Sequence, residues 1–325
     1  MNHHSGPAVN RKNIGLIDFP DAQNPVCELA FAGRSGKNPP MYRIQTITSL
    51  DLPELEPYRT MRRPREHEQQ GIFVAEGEKV VRRLLESHFE TVSVLLPEKH
   101  LHDFRPLIEA RPEDLTVYLA DKKLLEALVG FSFYQGVLAV GKIPPAVSLD
   151  ELLQKSSAPR LFAAVDALTN AENLGAVVRN CAAFGVHGLI VGETCSSPYL
   201  RRAVRNSMGT IFQLPVFEVN SQPAGNVPDQ TAAPALVRTL QELRRRGIRC
   251  LAAHPHTDRK VLSQADFTGD CCLVFGSEGF GISPRVLAEC DEAVAIPMAN
   301  AVDSLNVGAA AAVFFYEANR QRGRA

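Results

Sequence analysis

The chain has 325 residues, which is enough for two domains of ordinary size. Hydrophobic residues make up 45% of it and charged residues 22%, and the net charge of -1 neither favours nor excludes a polyanionic partner. The seven cysteines form an odd set without C-x-x-C spacing, which argues against a disulfide framework and a zinc site. No signal sequence is visible, and the apolar run near residues 309–316 is too short to span a bilayer. We therefore expect a cytoplasmic protein without a metal or a membrane partner.

The first part of the chain divides into a tail and a small module. Residues 1–40 are rich in Asn, Gly, Pro and His without a hydrophobic period, so we expect a disordered tail or one added for expression. Residues 41–145 begin with a polar stretch that is helical or extended, and then alternate strand-like and helix-like segments. In chain order these are "IFVAEG", "EKVVRRLLESH", "VSVLL", "DKKLLEALV" and "GVLAVGKI". The pattern predicts a compact α/β module.

A second α/β domain is predicted from residue 160 to residue 325. Residues 146–159, which follow a proline pair and combine a short amphipathic helix with a Ser-rich stretch, are the predicted linker. Beyond them, continuous apolar strands alternate with helices, which indicates a mostly parallel, doubly wound sheet buried on both faces. Ligands of such sheets bind at the carboxyl ends of the strands. Three loops at predicted strand ends are unusual.

The first loop is "DALTNAENLGAVVRN", after the strand that ends at Asp166. Asn173 is a suitable N-cap for the following helix, and Gly175 in its first turn permits a close backbone approach. Arg179 falls off the apolar stripe of that helix, so spacing alone is also compatible with an ordinary solvated arginine.

The second loop, "GSEGFGIS" at residues 276–283, has neither the glycine order of a dinucleotide site nor a P-loop pattern. Glu278 in its middle would repel an anion, so a neutral or cationic ligand or a ribose hydroxyl fits better. The alternative is a plain glycine turn, with Ser283 capping a helix that begins at Pro284. Both interpretations stay open on the loop alone.

The third loop lies in "AIPMANAVDSLNVGAAAAVFFYEANR". Asp303, Ser304 or Asn306 can cap the helix that follows, whose early residues are nearly all small. A face of Gly and Ala lets a helix pack very close to another backbone. A capped, Ala-rich terminal helix is the simpler interpretation.

Three motifs occur in this order along the chain: Asn173 to Arg179, "GSEGFGIS" after a strand, and "IP…DSLNVGAAAA". Together they resemble the SpoU/TrmH family of RNA ribose 2'-O-methyltransferases, within the SPOUT superfamily. Residues 41–145, with "FVAEGEKVVRRLL" and "YQGVLAV", resemble the accessory substrate-binding domain of that family, which is related to the ribosomal protein L30e fold. The resemblance implies a parallel-sheet domain with a deep trefoil knot. It also implies a homodimer formed through the knotted domain, with both subunits near each active site.

The resemblance further implies that S-adenosylmethionine is the cofactor and that the activity is that of EC class 2.1.1. The implied cofactor-binding residues are Phe275, Gly276, Ile296, Ser304 and Leu305. The implied catalytic residues are Asn173, Arg179, Glu278, Ser304 and Asn306. Family accounts often make the arginine the general base, but a guanidinium releases its proton with difficulty. The alternative is that Arg179 binds a neighbouring phosphate and stabilises the developing alkoxide.

Two clusters of arginines are predicted to contact RNA phosphates, and solvated helix faces are the alternative. The predicted RNA-binding residues are Arg59, Arg62, Arg63, Arg65, Arg201, Arg202 and Arg205. In the family that the chain resembles, an accessory domain before the catalytic one is more typical of the ribosomal RNA enzymes, so the resemblance implies ribosomal RNA as the preferred substrate. Transfer RNA is the second possibility, and an inactive RNA-binding assembly factor of the same fold is the third. A metabolic enzyme that uses a nucleotide is disfavoured, because the sequence has neither the dinucleotide-binding motif nor the P-loop motif.

Overall fold

The computed structural model describes residues 42–129, 136–219, 233–255 and 260–324. The tail predicted at residues 1–40 lies outside them. The described residues form two sheets, each flanked by helices. The described residues of 42–142, with the first sheet, are called the first unit, and those of 149–324, with the second sheet, the second unit.

The first sheet has five strands in the order β1-β4-β3-β5-β2. Strand β5 runs antiparallel to β2 and β3, whereas β4 runs parallel to β1 and β3. The strands are β1 Tyr42–Thr46, β2 Ile72–Glu76, β3 Thr91–Leu96, β4 Leu115–Leu119 and β5 Leu138–Lys142. The helices are α1 Glu56–Arg59, α2 Pro64–Gln69, α3 Glu78–Leu85, α4 Glu98–Glu109 and α5 Lys122–Val129, with a 3-10 turn at Pro53–Leu55. Sequence patterns identified β2, β3, β5, α3 and α5, but not β1, α4 or β4.

The second sheet has six strands in the order β11-β9-β10-β6-β7-β8, and every pair is parallel. The strands are β6 Leu161–Val165, β7 Gly188–Val191, β8 Val216–Glu218, β9 Arg249–Ala253, β10 Cys271–Phe275 and β11 Glu292–Val294. The helices are α6 Leu149–Gln154, α7 Ala171–Ala183, α8 Arg201–Asn206, α9 Ala235–Arg245, α10 Pro284–Leu287 and α11 Val307–Gln321, with 3-10 turns at Thr210–Gln213 and Leu262–Gln264. The predicted parallel sheet is confirmed.

Strand β6 shows why these strands are continuously apolar. Ala163 and Val165 belong to one hydrophobic cluster, and Phe162 and Ala164 belong to another. Because successive side chains point to opposite faces, both faces of the sheet need apolar residues. Helices therefore cover both faces, as the doubly wound prediction requires.

The predicted linker is partly a packed helix. Ser148 and Glu151 form a capping box at the start of α6, and Leu152 and Leu153 are buried. A Cβ on Gly188 in β7 would overlap the Leu152 side chain, so the helix lies directly on the second sheet. Residues 149–154 therefore pack as part of the second unit rather than acting as a free connection.

One hydrophobic cluster contains residues of both sheets. The ring of Phe73 in β2 stacks on Phe212 at 5.5 Å between centroids, and Phe89 packs edge-on against Phe212 at 5.3 Å. The Arg83 side chain also donates to the Met208 carbonyl at 2.6 Å. Aromatic contacts of this kind add to simple burial, so they hold the first unit firmly against the second.

In the described part of the chain, no helix is both long and apolar enough to cross a membrane.

Candidate functional site

The site lies at the carboxyl edge of the second sheet, where the three unusual loops meet. They follow β6, β10 and β11, which end at Val165, Phe275 and Val294. Because all these strands are parallel, their carboxyl ends share one edge. The expectation that the loops converge is thus met by the topology.

The loop after β10 is a tight, glycine-dependent turn. Ser277 and Gly281 exchange two backbone hydrogen bonds of 3.0 and 2.9 Å. A Cβ on Gly276 would overlap the backbone of Gly281 and Ile282, and Gly281 has a φ of +68°. Both positions therefore require glycine, the first for close approach and the second for a left-handed conformation. The turn presents Glu278 and Phe280 to solvent.

A buried carboxylate fixes the far end of this loop. Asp166, at the end of β6, is 6% exposed and its Oδ2 accepts from the backbone N–H of Ser283 at 2.7 Å. Ser283 occupies the predicted N-cap position of α10, although its side chain makes no capping hydrogen bond. Asp166 was not among the predicted site residues, and its signal in the sequence is a charge that directly follows an apolar strand.

A pocket of about 300 Å³ opens beside this turn. All five predicted cofactor-binding residues line it: Phe275, Gly276, Ile296, Ser304 and Leu305. Glu278 and Phe280 line it as well, together with His254 and Pro255 after β9. His254 and Pro255 were not predicted as site residues. The signal that would have found them is the dipeptide "HP", which directly follows the strand "RCLAA". The walls are mostly backbone and apolar side chains, as a small-molecule site requires.

Three of the predicted catalytic residues form a hydrogen-bonded chain next to the pocket. The Asn306 amide Nδ2 donates to Glu278 Oε1 at 2.6 Å and to Asn173 Oδ1 at 3.1 Å. Its Oδ1 accepts from the Gly308 backbone N–H at 2.9 Å. An amide has two donor hydrogens and one carbonyl oxygen, so each group of Asn306 has a partner and its orientation is fixed. Asn306 also caps α11, which confirms one of the three predicted caps.

The predicted cap of α7 is wrong. The helix begins at Ala171, and Asn170 is the N-cap, with its side chain accepting from the N–H groups of Glu172 and Asn173 at 2.8 and 3.2 Å. Asn173 therefore lies within the first turn. This position leaves its side chain available for Asn306, which a capping role would not allow.

The predicted close approaches of small residues are present. A Cβ on Gly175 would be 2.5 Å from the Ala203 carbonyl oxygen of α8. On α11, a Cβ on Gly308 would be 2.8 Å from the Ala176 Cβ of α7. Asn180 Nδ2 donates to the Gly308 carbonyl at 2.6 Å and holds the two helices together. Glycine at these positions therefore sets the spacing of α7 against α8 and α11.

Arg179 is not brought into the pocket. It is exposed on α7, and it has no hydrogen bond or ion pair among the residues that the structure describes. It lies six residues beyond Asn173 on the same helix. The structure therefore groups four of the five predicted catalytic residues and leaves Arg179 outside the group.

The two predicted RNA-binding clusters differ in their surroundings. Four arginines of the first unit are exposed, and two of them pair with surface carboxylates, Arg59 with Asp51 at 3.9 Å and Arg63 with Glu66 at 3.2 Å; the four are Arg59, Arg62, Arg63 and Arg65. In α8, Arg202 is exposed, but Arg201 pairs with Glu76 Oε2, and Arg205 pairs with Glu76 Oε1 at 2.7 Å. The prediction that these arginines contact RNA stays untested, and for Arg201 the structure provides an internal partner instead.

Two cysteine thiols of the second unit are not activated. Burial raises the pKa of Cys195 to about 11 and that of Cys271 to about 11. Both thiols are therefore protonated at neutral pH and are poor nucleophiles. Among the described residues, no group of three or more potential ligands could hold a metal ion.

Comparison with known proteins gives a match of residues 160–316 to the SpoU rRNA Methylase family. The 23S rRNA (guanosine-2'-O-)-methyltransferase RlmB of Acinetobacter baylyi is 32% identical over 254 residues, which cover 76% of this chain and 96% of that protein. An uncharacterised tRNA/rRNA methyltransferase of Mycobacterium bovis is 30% identical over 295 residues, which cover 89% and 96%. The similarity thus extends beyond the second sheet.

A solved structure agrees with these relatives. The SpoU methyltransferase AviRb of Streptomyces viridochromogenes, in complex with the cofactor AdoMet, matches with a TM-score of 0.68 and 27% identity. The match covers 83% of this chain and 98% of that one.

Proposed function

Because the chain belongs to the SpoU rRNA methylase family, we propose that it transfers a methyl group from S-adenosylmethionine to a ribose 2'-hydroxyl of ribosomal RNA. Relatives named for 23S ribosomal RNA 2'-O-methylation and the AdoMet complex of AviRb support this proposal. The observation that carries it is that the pocket lies next to the three hydrogen-bonded side chains of Asn173, Asn306 and Glu278.

The pocket suits S-adenosylmethionine chemically. Gly276 lacks the Cβ that would block its turn, so its backbone can form one wall, while Ile296 and Leu305 supply apolar surface. The Glu278 carboxylate at the rim would repel an anionic ligand, which argues against a phosphate at this position. When bound, the cofactor supplies an electrophilic methyl group on a positively charged sulfur.

The chain's own groups then orient the acceptor. Asn306 uses both amide hydrogens internally, so it positions Glu278 and Asn173 rather than the substrate. Glu278 Oε2 has no partner among the residues in the described ranges, and it is available to accept the hydrogen bond of a ribose hydroxyl. Such positioning raises the rate because the hydroxyl oxygen is held in line for attack. The Ser304 hydroxyl lines the same pocket and adds a second polar group.

Arg179 has a supporting electrostatic role in this proposal. Its exposure on α7, outside the pocket, suits a contact with a negatively charged phosphate of the bound RNA. A strongly basic guanidinium stabilises that negative charge without having to lose a proton. The proton of the hydroxyl passes to water or to phosphate.

We also infer a homodimer and a trefoil knot in the second unit. The outer face of α11 carries Ala309, Val313 and Tyr316 at helical spacing, and all three are exposed. Val302 in the preceding loop is also an exposed apolar side chain. Exposed apolar stripes of this kind are typical of protein interfaces. Light scattering that gives the mass of two chains supports the dimer, and the mass of one chain contradicts it.

The first unit is proposed as an L30e-like RNA-binding domain, and the cytoplasm as the place of action. Its exposed arginines suit phosphate contacts, which position RNA without reading sequence. Replacing Arg62 and Arg63 together by alanine is expected to weaken RNA binding and to flatten its salt dependence, with cofactor affinity unchanged. An unchanged salt slope contradicts this role.

Methyl transfer with purified protein tests the proposal. Labelled S-adenosylmethionine is incubated with unmodified 23S ribosomal RNA transcript or with transfer RNA, and the digested RNA is examined by mass spectrometry for 2'-O-methyl nucleosides. Ribose methylation of the ribosomal transcript is the expected result. Methylation of transfer RNA alone indicates the second substrate class. Cofactor and RNA binding without any transfer indicates an assembly factor.

A further inference from the structure

Phe280 is an outlier on the surface of the protein. It is 96% exposed, whereas the next most exposed large apolar side chain in the described ranges, Tyr316, is 53% exposed. An aromatic ring left in water forfeits the free energy of burial. Single exposed apolar residues are ordinary, but an almost fully exposed phenylalanine at the edge of a functional pocket requires a reason.

Hydrogen bonds fix the backbone that carries this ring. The Phe280 N–H donates to Ser277 Oγ at 3.2 Å, and the Ser277 and Gly281 backbones are paired on either side of the tip. The neighbouring glycines at 279 and 281 have open space around them, since a Cβ there would meet nothing within 4 Å. The ring is therefore presented on a fixed turn with free space beside it.

The ring lies where the methyl acceptor must arrive. Phe280 lines the same pocket as Gly276 and Leu305, and Glu278 is two residues before it in the same turn. A nucleotide whose ribose hydroxyl reaches Glu278 brings its base or the adjacent base near this tip. Unpaired bases of RNA are commonly recognised by stacking on aromatic side chains.

We propose that Phe280 stacks on a nucleobase of the RNA substrate and so holds the target nucleotide at the pocket. The inference rests on the proposed function and adds a substrate-binding residue to it. A nucleobase fits better than a second copy of the chain, because the ring stands alone among Glu278 and two glycines. The apolar stripe proposed for the dimer is instead continuous along α11.

A tryptophan at this position provides a direct measurement, because the chain contains no tryptophan. Phe280→Trp gives a protein with a single indole, whose fluorescence and accessibility to acrylamide report what covers it. The probe is unmodified 23S ribosomal RNA transcript, with its binding measured separately by filter retention. Tyr316→Trp is the control, since it places an indole on the outer face of α11, which the proposed dimer covers with or without RNA, so RNA should not change its accessibility.

The expected result is that RNA quenches and shields the indole at position 280, whereas S-adenosylhomocysteine alone leaves it accessible. Shielding by S-adenosylhomocysteine alone overturns the inference, because the ring then covers the cofactor. Shielding that rises with protein concentration without RNA also overturns it, because a second chain then covers the ring. RNA that binds without shielding position 280 overturns this inference alone, and absence of RNA binding overturns the proposed function with it.

Kinetics give an independent measurement. Phe280→Ala is expected to raise KM for the RNA roughly tenfold or more, as loss of one stacked base implies, while the Kd for S-adenosylmethionine stays near that of the wild type. Phe280→Tyr keeps the ring and is expected to restore KM. Failure of tyrosine to restore it, or an equal loss of cofactor affinity in the alanine variant, contradicts stacking.

Discussion

The buried carboxylate of Glu76 is expected to determine how firmly the two units are joined. It is 2% exposed and pairs with Arg201 and Arg205 of α8, whose side chains are 16% and 53% exposed. Glu76→Gln keeps the shape of the side chain and removes its charge. The Arg201 guanidinium is then left mostly buried without a counter-charge, and its Nε already has no hydrogen-bond partner within the described ranges.

The magnitude follows from this difference in exposure. Removing one partner of a buried ion pair destabilises a protein by about 3–5 kcal/mol, because the other charge is left uncompensated. Arg205 is half exposed and can regain water, so we expect the lower limit, about 3 kcal/mol. At about 2–4 °C per kcal/mol for a protein of this size class, the Tm falls by roughly 6–12 °C.

Thermal unfolding followed by circular dichroism measures this shift, and Glu90→Gln is the matched control. Glu90 pairs with Lys142 at 2.6 Å, but these side chains are 50% and 53% exposed, so the expected loss is below about 1 kcal/mol. Equal shifts for the two glutamine variants refute the reasoning. The double variant Glu76→Met with Arg201→Met is expected to be less destabilised than Glu76→Met alone, because the mostly buried guanidinium of Arg201 is no longer left without a counter-charge.

Three further predictions concern the site and the first unit. Gly276→Ala is expected to weaken S-adenosylmethionine binding more than tenfold by calorimetry, because its Cβ overlaps the opposite side of the turn, whereas Gly279→Ala, which meets nothing within 4 Å, should have little effect. Glu278→Gln should leave the cofactor Kd nearly intact and lower kcat for methyl transfer; equal losses of both indicate a purely structural role. Burial lowers the pKa of His67 below its usual value of 6.5, so the unfolded chain holds the proton more tightly. Its contribution to stability is complete above about pH 6.5 and is lost as the pH falls, and His67→Gln should flatten the fall of Tm with decreasing pH.

The second sheet was predictable because each of its central strands is a continuous run of apolar residues. Runs such as "LFAAV" and "CCLVF" are buried on both faces, and each ends at a polar or glycine residue. Parallel topology then places the ends of these runs at one edge, so the three loops could be grouped before any coordinates were known, whereas the individual pocket residues came from the resemblance to the SpoU/TrmH family. Strand β1 lacks such a signal, because "YRIQT" is an edge strand whose side chains are mostly exposed.

The partners of individual polar side chains were not predictable to the same extent. Glu76 and Arg201 are 125 residues apart in the chain, and nothing local to either distinguishes an internal ion pair from an RNA contact. The cap of α7 has a similar difficulty, since Asn170 and Asn173 are both good capping residues three positions apart. Only the tertiary contact with Asn306 assigns Asn173 a different task.

Asn306 shows how the helix cap and the proposed chemistry depend on one side chain. Its carbonyl oxygen caps α11, and its two amide hydrogens reach Glu278 and Asn173. Aspartate is equally good as a cap, but it would place a second carboxylate against Glu278 and lose both donors. Serine would keep the cap and reach neither partner. Of these three capping residues, only asparagine therefore caps α11 and also orients the Glu278 carboxylate. This double task explains why the start of α11 lies directly beside the proposed site.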